Sequence, residues 1–141
     1  MNLTVNPFVK FMLGMWRFPL PVKAWLMALM VANMMVPLVY IGRTEARIVL
    51  GTFMASFVLM LALTAASGFT RLLGLGHSLW IPLVVFLVTR LEAIGAGDGY
   101  GLWIRAVIVL NSLSLVIDAW DVIRFAKGDR AEVVSFDEGA A

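Results

Sequence analysis

Three stretches of this chain, 24–42, 48–70 and 72–89, contain no Asp, Glu, Lys or Arg. A fourth, 102–123, carries only Arg105, Asp118 and Asp121 within an otherwise apolar run. A helix rises 1.5 Å per residue, so about 20 apolar residues cross a hydrocarbon core of about 30 Å. The runs do not alternate apolar and polar positions as barrel strands do. In lipid each backbone N–H and C=O must be paired internally, and a helix does this within one segment. The pattern predicts membrane-spanning helices at about 22–42, 46–68, 72–91 and 100–125. The expected fold class is an all-α membrane protein, with four transmembrane helices in an up-down bundle preceded by a short interfacial N-terminal helix.

Residues 1–21 read as a separate segment. Across 6–18, Phe8, Phe11, Met12, Met15 and Trp16 share one helical face with Lys10 and Arg17 beside it. That pattern suits a helix lying among lipid headgroups. A hydrophobic tail packed on the bundle fits it equally well. Pro19 and Pro21 form an elbow, because proline also disfavours helix in the residue before it. Lys10 and Arg17 break the apolar run and no A-x-A site follows, so cleavage as a signal peptide is not expected. The polar, acidic stretch 126–141 reads as a disordered cytoplasmic tail.

Within the spans, Ala24, Ala28 and Ala32 recur every four residues and form a smooth ridge where another helix could pack closely. Met27, Met30 and Met34 form a second stripe, read as packing rather than as soft-metal ligands. Asn33 is a lone amide expected to bond across to another helix. Thr52, Ser56, Thr64 and Ser67 are read as hydroxyls bonded to their own helix or a neighbour. Gly74 and Gly76 loosen the start of the third span, and Pro82 is expected to kink its middle. All five tryptophans, Trp16, Trp25, Trp80, Trp103 and Trp120, fall near predicted span ends, as interfacial anchors do.

Composition agrees with a membrane setting. Hydrophobic residues make up 62% and charged residues 14%, against roughly 45–50% and 25% in soluble domains. The net charge of +2 gives no nucleic-acid footprint. The absence of cysteine rules out disulfide exchange and thiolate metal sites. Lys10, Arg17, Lys23, Arg71, Arg124, Lys127 and Arg130 fall on one side of the predicted topology, and Arg43, Arg47, Arg90 and Arg105 on the other. Positive charge accumulates in the cytoplasm, so both termini are expected inside, in a bacterial inner membrane.

The candidate chemistry is a cluster at the cytoplasmic end of spans three and four. Asp118 lies about 9 Å along the helix from Arg124, and His77 about 9 Å from Arg71. The two should therefore share one depth. Asn111, Ser114, Asp118 and Asp121 fall within an arc of about 80° at 100° per residue. A carboxylate at depth costs at least about 2.5 kcal/mol, so this stripe must face the interior. Arg71, His77, Asn111, Ser114, Asp118, Asp121 and Arg124 are thus the candidate polar lock or ligand site. No catalytic group, metal set or cofactor motif accompanies them. The reading is a small accessory or ligand-binding membrane protein, with membrane lipid as partner and a homo-oligomer or larger membrane complex left open. An oligomeric transporter using Asp118, Asp121 and His77 is the alternative, and a membrane-embedded enzyme the third.

Overall fold

The computed structural model describes residues 6–133, and these are helical with short connections. The helices are α1 (Pro7–Arg17), α2 (Leu20–Val39), α3 (Thr44–Ser67), α4 (Arg71–Thr89) and α5 (Gly99–Ala126). Helices α2 to α5 are each long and apolar enough to cross a membrane. Val58, Val85 and Val116 remain 60–70% exposed. Large aliphatic groups on an outer surface are at home in lipid, and the chain is a small membrane protein.

Asn6 starts α1. Its Oδ1 accepts from the N–H groups of Phe8 and Val9 at 3.0 and 3.2 Å, and Pro7 holds the first helical position. The helix packs on α3, where Phe11 meets Phe57 edge to face with ring centroids 5.5 Å apart. Gly14 permits the approach of Phe69, whose ring would stand 2.6 Å from an added Cβ.

Helix α2 is not uniform. Val31–Met35 is a π-helical turn. Pro37 has no N–H to offer the Asn33 carbonyl four residues back, which favours a wider turn there. Asn33 Nδ2 donates to the Leu29 carbonyl at 3.0 Å, and Trp103 Nε1 donates to the Ala32 carbonyl at 2.8 Å. Ala32 is buried, whereas Ala24 and Ala28 are exposed. Within this chain the expected alanine ridge is therefore not one continuous contact.

Helix α4 has two parts. Arg71–His77 is a 3-10 helix and Trp80–Thr89 is α-helical. The tighter, longer-rising first part adds about 14 Å to about 18 Å from the rest, enough to span. Pro82 sits in the first turn of the α-helical part, where its missing N–H costs nothing. The break comes just before Pro82, not at it. The glycines of the 3-10 part bring it close to its neighbours. A Cβ on Gly74 would lie 2.8 Å from the Asp118 carbonyl oxygen, and one on Gly76 would strike Met60. Helix α4 thus nests between α3 and α5.

The start of α3, the end of α4 and the start of α5 meet at one end of the molecule. Buried Glu45 accepts from Arg90 Nε at 3.2 Å and from the Tyr100 hydroxyl at 2.9 Å. Arg43 lies over the Tyr100 ring at 3.9 Å. Trp80 and Trp103 are 1% and 7% exposed, so these two are core residues rather than interfacial anchors. Trp16 and Trp120 remain exposed.

Candidate ligand cavity and polar cluster

The polar stripe of α5 divides among three separate sets of partners. Midway along it, Asn111 pairs with Asn33 of α2. Each amide donates to the other's oxygen at 2.8 Å, and both residues are fully buried. Ser114 is buried one turn further on. Next, Asp118 Oδ2 lies 2.7 Å from His77 Nδ1. Their side chains are only 16% and 15% exposed. Last, Asp121 pairs with Arg71.

Arg71 also donates through Nε to Asp129 at 3.0 Å, and Arg124 reaches the same carboxylate at 2.8 Å. Two arginines thus face two aspartates. Asp129 had no place in the sequence-derived cluster. It arrives there because α5 ends in a Schellman closure: Gly128 takes φ +111°, its N–H bonds Phe125 O at 3.1 Å, and Asp129 N–H bonds Arg124 O at 3.0 Å. A lysine-glycine-aspartate run after a basic helix end was the available signal. Residues 127–133 then fold back over the molecule. Glu132 pairs with Lys10 of α1, and Val133 N–H bonds Phe69 O at 3.0 Å. The remainder of the expected tail, 134–141, lies outside the described residues.

His77 connects this polar end to an apolar one. Its ring stacks on Trp80, with centroids 4.1 Å apart and planes 13° apart. Both residues line a cavity of about 330 Å³ enclosed by α1, α2, α3 and α4. That volume falls at the lower end of the range for small-molecule sites, roughly 300–1,000 Å³. Met12, Met15, Met30, Met34, Met54 and Met60 line it, six of the chain's nine methionines. Unbranched thioethers make a wall that can reshape around an occupant. Phe8, Met12 and Met54 are also exposed, so the cavity reaches the outer surface of the helices. Among the described residues no Asp, Glu, Lys or Arg lines it. The methionine stripe of α2 contributes Met30 and Met34 to this wall, while Met27 is exposed.

The geometry assigns different chemistry to the two sides of His77. The arginine–aspartate set is charge-neutral and mutually bonded, as a clasp between α4, α5 and the returning chain would be. The cavity side is apolar and reaches the outer surface. Among the described residues no group of three His, Cys, Asp or Glu side chains converges on a metal-sized site. No family model, curated protein or solved structure matches this chain.

Proposed function

We propose that this is an integral membrane protein without catalysis of its own, which binds a membrane-dissolved amphipathic molecule. One observation carries this reading: the cavity of about 330 Å³ has apolar walls, includes residues of the exposed outer surface and has His77 in its wall. A molecule partitioned in the bilayer would enter sideways, past Phe8, Met12 and Met54, and set its polar end toward His77. The pairing of Asp121 and Asp129 with Arg71 and Arg124 favours binding over ion transport, because those carboxylates already have counter-charges.

In the same proposal the four spans form an up-down bundle with α1 at the membrane interface. Both termini face the cytoplasm of a bacterial inner membrane, following the seven-to-four division of basic residues. The arginine–aspartate set acts as the lock that holds α4 against α5. Organic extraction of the purified protein tests the binding reading. One lipophilic species should be enriched over the bulk membrane composition. An extract indistinguishable from bulk lipid would count against it.

A further inference from the structure

The chain beyond α5 crosses the end of the molecule and reaches α1. Asp129 anchors it to Arg71 and Arg124. Val133 N–H then donates to the Phe69 carbonyl at 3.0 Å, and the Glu132 carboxylate pairs with Lys10 of α1. The backbone makes room for this pair. Gly68 takes φ +78°, and a Cβ there would stand 2.5 Å from Glu132 Oε1. Phe69 serves both partners. Its carbonyl holds the returning chain, and its ring packs on Phe11 and Phe18 with centroids 5.9 and 5.5 Å away.

Helix α1 is also one wall of the cavity, through Phe8, Phe11, Met12 and Met15. It joins α2 through Phe18 and Pro19, both extended, with ψ 149° and 156°. Its packing on α3 is aromatic, since Phe8 and Phe11 both meet Phe57 edge to face. In lipid such contacts have little hydrophobic drive behind them, because acyl chains are as apolar as the side chains they would replace. The Lys10–Glu132 pair is different. Its side chains are 12% and 30% exposed, and separating partly buried charges is costly. The polar attachment therefore does more than the apolar face to keep α1 in place.

We propose that α1 is a hinged lid over the cavity and that residues 127–133 are its latch. Phe18 and Pro19 form the hinge, and Glu132 on Lys10 is the catch. With the catch released, α1 swings away from α3 and widens the seam that Phe8 and Met12 share with Met54. The purpose of the lid rests on the ligand-binding reading above. Its movement is read without any ligand.

The chain has no cysteine, so spin labels can be introduced on chosen residues of the full chain. Val9→Cys on α1 and Val116→Cys on α5 label two exposed positions. Double electron–electron resonance of the detergent-solubilised protein then reads the distance between them. With the latch intact one distance should dominate. Glu132→Gln removes the catch and should raise a second, displaced population about two- to fivefold. Adding Val133→Pro, which has no N–H for the Phe69 carbonyl, should raise it further. Exchanging the charges, Lys10→Glu with Glu132→Lys, re-forms the pair and should restore the original distribution, which a misfolded variant could not do. The same distribution in all of these proteins would overturn the latch. A displaced α1 in a protein whose extract shows no enriched lipophilic species would uphold the lid and count against the ligand-binding reading alone.

Discussion

Asn33 and Asn111 hold each other by two hydrogen bonds of 2.8 Å between α2 and α5, with no exposed surface on either residue. A reciprocal amide pair satisfies both donors and both acceptors only when the helices meet in one register. The same α2 turn gives its Ala32 carbonyl to Trp103 Nε1. The π turn before Pro37 is thus the point at which α2 is fastened to α5.

This pairing predicts strong coupling. Asn33→Ala or Asn111→Ala alone leaves a buried amide unpaired and should cost about 1–3 kcal/mol. The double variant should cost clearly less than the sum, because neither amide is left stranded. Denaturation in a mild detergent, read by helical circular dichroism, measures all three. Additive costs would mean the pair is not coupled.

His77 and Asp118 give a second test. Asp118→Ala strands the imidazole and should destabilise by about 3–5 kcal/mol. Asp118→Asn keeps a hydrogen-bonding oxygen and should cost less. Glu92→Ala, at an exposed position, should fall within about 0.5 kcal/mol of wild type. Equal stabilities for Asp118→Ala and Glu92→Ala would show that the contact contributes nothing.

The close approach at Gly74 gives a third. A methyl group there meets the Asp118 backbone, which cannot swing aside as a side-chain end could. Gly74→Ala should cost about 1–3 kcal/mol and move Asp118 away from His77. Gly51→Ala on α3 meets nothing and should be neutral or stabilising by up to about 1 kcal/mol. The melting temperatures of the two variants should therefore move in opposite directions or differ widely.

Ala28 provides the converse case. It is exposed in this chain, so Ala28→Leu should leave monomer stability within about 0.5 kcal/mol. A large loss, or a changed particle mass in size-exclusion chromatography with light scattering, would place Ala28 in a contact between copies.

The four spans were legible because long charge-free runs have few physical solutions in a chain this apolar. The meeting of His77 with Asp118 was approachable because rise per residue converts sequence position into depth. The 3-10 stretch lengthens the Arg71 to His77 interval to about 12 Å, yet the side chains still reach each other. The destination of Asn33 was harder to read, since a lone amide does not name its partner. The π turn hid behind a continuous apolar pattern. Trp80 looked like an anchor because its distance from a predicted span end says nothing of the neighbour it stacks on. The cavity was not visible at all. Its walls come from four helices, and the space between methionines depends on how those helices cross.

Orientation can be checked in cells. Reporter fusions at Gly42 and Gly97 should read external, and one at the C-terminus cytoplasmic, if the basic residues direct insertion. A cytoplasmic signal at Gly97 would contradict the proposed topology.

The central claim is an occupied cavity, and native mass spectrometry of the protein released from mild detergent tests it most directly. The chain weighs 15.5 kDa, so a bound lipophilic molecule shifts its mass measurably. The wild type should carry one such molecule per chain. Met34→Trp, which adds bulk at a half-buried position of the cavity wall, should lose that molecule while remaining folded. A wild-type protein that appears only as the bare chain under conditions that preserve its helices would contradict the account.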